Sequence, residues 1–437
     1  MIEKAKNTAM QRDLDKVISE CKEAVKKATG KERAAIFERM GDAYRDMDKG
    51  PKAVICYEEA MGAGGDHIDL IEKYTDILGL SGGQEKAIKL LEETINKTVI
   101  PKDRARLLAK KAYFIRFVGK YEEAKKVVET ALEILVDLDP NDPEIRHSLA
   151  EANAIMGICH WELGDLKKAQ EYFNTALGFY EKEKDYRGIA RIKNNTGLTL
   201  LYTGEVDQAL KNFEDALKAI EACNIGGDSG MVLTNIGLIF QIKGEFERSE
   251  EYYKKSIKIQ MAVNKHYGVH LAQADLADML VDKGEYLKAR GWAERALKGF
   301  QDVKDESRMA MVMNTMALIE LEEGDPKKAE RTVDKALAMA REHKAYESLG
   351  ISLRVKGTIV AARKDFEASE KFLKESIEVF KKSQFRYGEG RSLLELALIS
   401  LAKGDKAQAK AAASSARKIL AGFGAKRELS ILDGVGL

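Results

Sequence analysis

The chain has 437 residues, enough for about two or three ordinary domains or for one long array of repeats. Its 5 prolines, 7% aromatic residues and 33% charged residues disfavour a β-sandwich or β-barrel and favour exposed amphipathic helices. The 72 basic and 71 acidic side chains give a formal net charge of +1, which excludes a globally basic nucleic-acid binder, and a hydrophobic content of 45% excludes intrinsic disorder.

The sequence also predicts a compartment. Its apolar runs are shorter than the roughly 18 residues that a membrane helix needs, and the first residues lack the apolar core of a secretory signal. The cysteines form no CxxC pair, so we expect reduced thiols that are buried as small apolar residues. Together these features predict a cytoplasmic protein. The cysteines are Cys21, Cys56, Cys159 and Cys223.

Residues 1–139 carry helical patterns that repeat irregularly. Residues 1–30 show one apolar helical stripe and are expected to form a cap or an incomplete repeat. A two-helix repeat is recognisable between Gly41 and Ala60. Residues 62–104 depart most from the pattern, because two glycine clusters interrupt it.

The segment Asp-Pro-Asn-Asp-Pro at residues 139–143 disfavours helix, since a residue before proline avoids the α conformation. We place a boundary here, between the irregular N-terminal part (residues 1–139) and a regular array (residues 140–424). A flexible loop is predicted inside the array at residues 224–230, where glycines cluster. Residues 425–437 lose the pattern, and we expect either a short capping helix or a tail.

A glycine recurs at one position of the array. From Gly164 to Gly324 every step is 40 residues, and the next step falls on Lys364, which is the one gap in the series. Three columns of Gly, Ala or Ser lie in register with it, one seven residues before the glycine and the others five and twelve residues after it. Four columns in register predict tandem structural repeats. The glycines are Gly119, Gly164, Gly204, Gly244, Gly284, Gly324 and Gly404.

Each repeat is predicted to contain two helices. The glycine ends the first helix in the left-handed conformation, and the acidic residue that usually follows it favours the start of the second helix. Small residues at the crossing let the two helices pack closely. We expect the large residues four positions after the second small column, Phe173, Phe213 and Tyr253, to fill the space between neighbouring repeats. One repeat cannot bury its apolar face alone, so the repeats stack into a solenoid.

These columns resemble the tetratricopeptide repeat, most clearly at residues 155–177, 195–217 and 235–257. The usual repeat has about 34 residues, whereas this one has 40. The longer form is similar to the arrays of Pins-type cortical scaffolds, kinesin light chains and MalT-like bacterial transcription regulators. The resemblance implies an all-α, right-handed superhelix of about ten to eleven helix-turn-helix repeats. It also implies that a peptide or protein segment binds in an open concave groove.

The resemblance places the binding site on the first helices, which line the groove. An Asn two residues before the small column resembles the asparagine that holds peptide backbone in this family, and a side-chain amide can both donate and accept. Two repeats keep it, as Asn195 and Asn235. A bond to a neighbouring turn of the solenoid is the alternative for both. The candidate peptide-binding residues are Arg191, Asn194, Asn195, Leu198, Tyr202, Thr234, Asn235, Leu238, Gln241 and Asn314, flanked by Asp278 and Asp282.

Other side chains near this face have two interpretations each. Arg191, Arg354 and Arg391 could supply charge for an acidic ligand, and the alternative is that each one is solvated at the surface. Tyr202, Trp161 and Phe117 fall near the concave ends of first helices. They are expected either to anchor apolar ligand side chains or to pack between repeats.

Sequence motifs for catalysis are absent. GxSxG and HExxH do not occur, and Cys159 and His160 are adjacent on a helix and so do not face each other. His266 and His270 have the i, i+4 spacing of metal ligands but lack a third ligand, and we expect them in the segment between helices.

We therefore predict a protein that is not an enzyme and has no metal or cofactor. Its predicted partner is a protein or peptide, not nucleic acid or a membrane. A ligand-sensing regulatory module that acts through a separate output partner is the alternative.

Overall fold

The computed structural model describes residues 2–47, 49–80, 82–223, 229–343 and 345–436, without the side chains of residues 2–12 and 80. The described residues divide into two compact parts, the N-terminal unit (Met1–Glu183) and the C-terminal unit (Lys184–Leu437). In both, the regular elements that the structure describes are α-helices, stacked as an all-α solenoid. None of the described helices is long and apolar enough to cross a membrane.

The N-terminal unit contains nine helices among its described residues. Helices α2 and α3, α4 and α5, α6 and α7, and α8 and α9 form antiparallel pairs that pack along their length. The boundary predicted at residue 139 falls at the turn between α7 and α8 and stays a prediction. The helices are α1 (Ile2–Ala24), α2 (Gly30–Asp46), α3 (Gly50–Gly62), α4 (Ile68–Leu80), α5 (Gln84–Lys97), α6 (Pro101–Phe117), α7 (Tyr121–Val136), α8 (Pro143–Glu162) and α9 (Leu166–Glu183).

The C-terminal unit continues the pairing from α10 and α11 to α20 and α21, and α22 packs on α21 and α20. Leu432 of α22 is fully buried, so the last segment forms a capping helix. The helices are α10 (Tyr186–Thr203), α11 (Val206–Ala222), α12 (Ser229–Ile242), α13 (Phe246–Ala262), α14 (His266–Asp282), α15 (Tyr286–Asp302), α16 (Glu306–Glu322), α17 (Pro326–Glu342), α18 (Tyr346–Ala362), α19 (Phe366–Lys382), α20 (Arg386–Lys403), α21 (Lys406–Phe423) and α22 (Lys426–Gly434).

The turns inside the pairs have the predicted conformation. All seven glycines of the repeat have φ between 73° and 96°, and Lys364, which fills the gap in the series, has φ 65°. A second left-handed position recurs every 40 residues between one pair and the next. It was not predicted, because glycine occupies it at only one described position. Its members are Lys184, Asn264, Lys304, Gln384 and Gly424.

The small columns lie where paired helices touch. A Cβ atom built on Gly197 would come within 2.5 Å of the Phe213 ring, and one on Gly237 within 2.8 Å of the Tyr253 ring. We expected these rings to fill the space between neighbouring repeats. Phe213 and Tyr253 do belong to core clusters that include residues of the next helix pair. Each ring also packs on the glycine of its own repeat, because that glycine leaves room for a ring at the helix crossing.

The loop predicted at residues 224–230 is partly outside the described residues. Residues 224–228 are not described, whereas Ser229 and Gly230 form the first turn of α12. Gly230 is buried against the side chain of Gln260. The prediction of a loop is therefore wrong for these two residues, because close packing against α13 favours a small helical residue there.

Candidate functional site

The first helices of the C-terminal unit form one wall. Each of α10, α12, α14, α16, α18 and α20 contacts the next, and α10 also contacts α20, so the row closes on itself. One face of α10 carries Arg191, Asn194, Asn195, Leu198 and Tyr202, and the other five helices carry the equivalent positions at steps of 40 residues. We call these six helix faces together the inner wall. Ten predicted binding residues lie on these helices.

The asparagines of the inner wall differ in their contacts. Asn235 Nδ2 donates to Asn194 Oδ1 over 2.8 Å, which joins α12 to α10. This is the bond between neighbouring turns that sequence analysis kept as the alternative. The side-chain amide of Asn195 is half-buried and makes no hydrogen bond with another described residue. Asn195 thus remains available to a ligand, whereas Asn235 would first have to leave Asn194.

Tyr202 is engaged in contacts that cross the interior. Its hydroxyl donates to Glu347 Oε2 over 2.7 Å, and its ring lies 4.7 Å from that of Phe385. The interpretation as an exposed anchor is therefore wrong for Tyr202, because Glu347 of α18 and Phe385, directly before α20, contact its side chain. Phe117, in the N-terminal unit, is 54% exposed and stacks under the Arg116 guanidinium at 4.3 Å.

Gln241 and Thr234 both serve the packing of α12. Gln241 Nε2 donates to Asp278 and Asp282 of α14, and its Oε1 accepts from the Tyr253 hydroxyl. Thr234 is buried between α12 and α13, where its hydroxyl bonds to Ser256 Oγ at 2.8 Å. We therefore remove Thr234 from the predicted site, because its short side chain turns toward the second helix. Leu198 and Leu238 are partly buried against the core.

Ion pairs connect helices of the inner wall across its interior. Arg391 Nη2 of α20 lies 2.7 Å from Asp282 Oδ1 of α14, and Arg427 Nη1 of α22 lies 3.3 Å from the same oxygen. The side chains of Arg391 and Asp282 are 14% and 6% exposed. Surface solvation is thus the wrong interpretation for Arg391, and the open groove that we expected is closed in this unit by the protein's own side chains.

Burial and neighbouring charges shift the pKa values of this cluster. Burial raises the pKa of Asp275 to about 7, helped by Asp278 and Glu347 and opposed by Arg308. Burial acts in the same direction on Asp282, but Arg391 and Arg427 outweigh it and keep its pKa below the ordinary value. The wall therefore holds one carboxylate fixed in its charged form and one that titrates near neutrality.

Besides Asn195, further polar side chains of the wall make no hydrogen bond or ion pair with a described residue. Asn314 is 1% exposed, and neither its amide nitrogen nor its amide oxygen makes a hydrogen bond. Arg354 is 6% exposed and forms no ion pair or side-chain hydrogen bond, and burial lowers its pKa to about 10. Asp275 makes no such bond either. Because buried polar groups are nearly always bonded, the two unsatisfied amide atoms of Asn314 are an exception to the usual pattern.

The N-terminal unit has a cavity of its own, of about 370 Å³, between α4, α6 and α8. Its charges are paired, with Lys102 Nζ 2.6 Å from Glu144 Oε2 and Arg106 Nη2 2.7 Å from Asp69 Oδ1. None of the predicted binding residues lies there. The lining residues are Asp69, Lys102, Asp103, Arg106, Pro143, Glu144, His147 and Ser148.

The candidate metal ligands of the sequence, His266 and His270, do not belong to a group of three possible ligands among the described residues. His266 and His270 lie in the first turns of α14, not between helices, and His270 packs edge-on against Phe300. Within the described residues, Glu306, Glu342 and His343 form a group close enough to share an ion. All three are exposed, and such groups are common without a metal.

Known proteins share this architecture. The family model of the MalT-like TPR region matches residues 190–422, and a tetratricopeptide repeat model matches residues 148–222. No curated protein matches the sequence.

Among solved structures, a Rap protein complexed with competence and sporulation factor has a TM-score of 0.65 at 11% identity, over 82% of this chain and 99% of that one. The apo form of the quorum sensor NprR from B. thuringiensis has a TM-score of 0.55 at 13% identity, over 85% and 99%. The apo form of RapI has a TM-score of 0.53 at 13% identity, over 80% and 97%. At these identities the likeness concerns the fold alone.

Proposed function

Because this chain belongs to the family of the MalT-like TPR region, we propose that it is a non-enzymatic interaction module that binds a peptide segment against the inner wall of its C-terminal unit. The observation that carries this proposal is the set of unpartnered amides on the wall. Asn314 is buried with both amide atoms unpaired, and Asn195 is half-buried. A side-chain amide offers a donor and an acceptor, which matches the needs of a peptide bond of any sequence.

The closure of the wall limits what can bind. The Tyr202–Glu347 and Arg391–Asp282 contacts cross the interior, so a folded domain has no room between the first helices. An extended segment needs less space and brings its own unpaired backbone groups. A short peptide or a protruding chain end is therefore the ligand that fits this wall.

A regulatory module is the second candidate function, and the ion pairs of Asp282 with Arg391 and Arg427 favour it. A ligand that competes for Arg391 or Asp282 would loosen the contact of α20 and α22 with α14 and so alter the shape of the unit. The similar structures include a quorum sensor and a Rap protein complexed with competence and sporulation factor. In this function, ligand binding would be read by a separate output partner.

The test of binding is a selection of short synthetic peptides on the immobilised chain. The Asn195→Ala/Asn314→Ala variant removes the two unpartnered amides of the wall, and each hydrogen bond to a ligand that is lost is worth about 0.5–1.5 kcal/mol. We expect the selected peptides to bind this variant about tenfold or more weakly. Asn212→Ala is the matched control, since Asn212 lies on α11 and bonds to its own helix.

Two outcomes decide between the candidate functions. Equal binding of the selected peptides to all three proteins would remove the inner wall as the site. If the wall is the site, small-angle scattering with and without peptide separates a passive module from a sensor. An unchanged profile supports the passive module, and a changed one supports the sensor.

A further inference from the structure

We propose that α22, the last helix of the C-terminal unit, is a releasable strap. In the closed state it fastens the last helix pair to the turns of the first two pairs, and its release admits a ligand to the inner wall. The inference rests on the proposed function for the peptide that enters, whereas the release itself belongs to the ligand-free chain.

The first observation is the place where α22 begins. Its first turn lies against the turn between α12 and α13, where a Cβ atom built on Gly244 would lie 3.8 Å from the Cβ atom of Lys426. Lys426 Nζ lies 3.6 Å from Glu245 Oε1 in the same turn. Arg427 reaches further, to the end of α14, where its Nη1 lies 3.3 Å from Asp282 Oδ1. The helix thus connects the last pair to the ends of α12 and α14.

The residues directly before α22 close the unit with apolar contacts. A Cβ atom built on Gly204, in the turn between α10 and α11, would come within 3.2 Å of the Phe423 ring. Phe423 and Ala425 also belong to one core cluster with residues of α10, α11 and α12. Because this cluster joins both ends of the unit, α22 lies where the row of helices closes and not on a free end of the array.

A buried acid links α22 to the contacts that cross the interior. Glu428 is 2% exposed, and its Oε1 accepts from the Tyr387 hydroxyl at 3.1 Å and lies 3.7 Å from Arg391 Nε. Arg391 also forms the ion pair with Asp282. Movement of α22 would therefore take away one of the two acids that contact Arg391, and it would take Arg427 away from Asp282 as well. Release of the strap weakens the closure of the interior.

The build of α22 favours release without unfolding of the unit. It has 9 residues, whereas α20 and α21 have 18 each, and a helix shorter than about 12–15 residues is marginal on its own. Two of its side chains are buried, Glu428 and Leu432. Gly424 precedes it with φ 63°, a left-handed conformation that glycine adopts without strain, and so provides a hinge. Segments with few buried apolar contacts open locally more often than the core does.

A strap at this place controls entry to the interior. The Tyr202–Glu347 and Arg391–Asp282 contacts leave little room while the row is closed, so a peptide enters when α22 is released and is enclosed when α22 returns. The same release is needed for the peptide to leave. A gate that acts on both steps changes the association and dissociation rate constants together and leaves their ratio the same.

The first arm of the test is amide hydrogen exchange of the ligand-free chain. We expect α22 to exchange at least tenfold faster than the middle of α16. Leu432→Ala should accelerate α22 by a further tenfold or more and leave α16 unchanged, because Leu432 is fully buried. Leu287→Ala is the matched control, since Leu287 is 87% exposed, and it should change neither helix. One common rate for α22 and α16, in the wild-type chain or in Leu432→Ala, would show that α22 leaves only when the unit unfolds, and would overturn the strap.

The second arm locks the strap. Gly244→Cys/Lys426→Cys places two thiols on Cβ atoms 3.8 Å apart, within the roughly 3.5–4.5 Å that a disulfide needs. Treatment with oxidised glutathione should remove the mass of two hydrogens, and failure to form the bond would contradict the packing of α22 on this turn. The reduced variant is the matched control, and the wild-type chain in the same oxidant controls for the native cysteines.

The kinetics of the selected peptides give the result. We expect oxidation of the variant to slow both association and dissociation at least tenfold and to leave the dissociation constant within about threefold. Equal rates in the two forms would overturn the gate while leaving peptide binding intact, and so would a loss of affinity with an unchanged dissociation rate. If no peptide binds the wild-type chain, the proposed function and the gate both fall, whereas the exchange experiment still decides whether α22 releases.

Discussion

The buried ion pair between Asp282 of α14 and Arg391 of α20 yields a quantitative prediction. In Asp282→Asn the side chain keeps its shape but loses the charge that faces Arg391 Nη2 at 2.7 Å and Arg427 Nη1 at 3.3 Å. At an effective dielectric constant of about 20, the first contact alone represents roughly 6 kcal/mol of Coulomb attraction, which the cost of burying both charges largely offsets. Removing one partner leaves the other buried, so we expect a loss of about 3–5 kcal/mol in the free energy of unfolding.

Urea unfolding at neutral pH measures this loss. The matched control is Asp207→Asn, since Asp207 lies 2.9 Å from Lys243 Nζ but is 91% exposed, and such pairs contribute about 0–1 kcal/mol. Replacing both Asp282 and Arg391 with leucine should recover most of the stability, because no unpaired charge is then buried.

Two results would refute the reasoning. If Asp282→Asn costs no more than Asp207→Asn, the contact across the interior does not hold the wall closed in solution. If the double leucine variant is as unstable as Asp282→Asn, the loss does not come from a buried unpaired charge.

Three further predictions concern the turns, the titrating carboxyl group and the helix crossing. Lys364→Gly should raise the free energy of unfolding in urea by about 0.5–1 kcal/mol, because glycine adopts the left-handed conformation of this position without the strain that a side chain causes. Gly324→Ala should lower it by a similar amount. A change of the same sign in both variants would contradict the assignment of the turns. The pKa of Asp275 is raised from 3.8 to about 7 in the folded chain, so its contribution is present at low pH and stability should fall as pH rises from about 4 to 7. Asp275→Asn should flatten that part of the pH profile, and an unchanged slope would assign it to other groups. Ala209→Phe should cost about 1–3 kcal/mol in thermal unfolding, because Ala209 is fully buried where α10 and α11 cross; unaltered stability would contradict the register.

Local features of the fold could be predicted from the sequence because their causes are local. The left-handed turns follow from glycine spacing, and the structure gives the same conformation to Lys364, which sequence analysis could identify only as a gap in the series. The second series of left-handed turns was missed, since residues such as Lys184 and Gln384 give no sign of that conformation in a single sequence. Asp caps were also predictable, and Asp325 accepts from the Lys328 amide at 2.9 Å.

The candidate site was less predictable, because its contacts join residues that are far apart in sequence. The resemblance placed Tyr202 and Asp282 on the inner face of the first helices and left Arg391 either facing a ligand or solvated at the surface. It could not show that Arg391 meets a residue 109 positions earlier, or that Tyr202 meets one 145 positions later. Those meetings depend on the summed rotations of several stacked repeats, and small errors in each rotation accumulate.

The closed row of first helices restricts how this protein can change in length. An open solenoid tolerates the gain or loss of a whole repeat, since each repeat contacts only its neighbours. Here α10 also contacts α20, and Asp282 must stand opposite Arg391. Inserting or deleting one 40-residue repeat between them would carry the two ends past each other, so the contact between first and last helices fixes the number of repeats that the ring can contain.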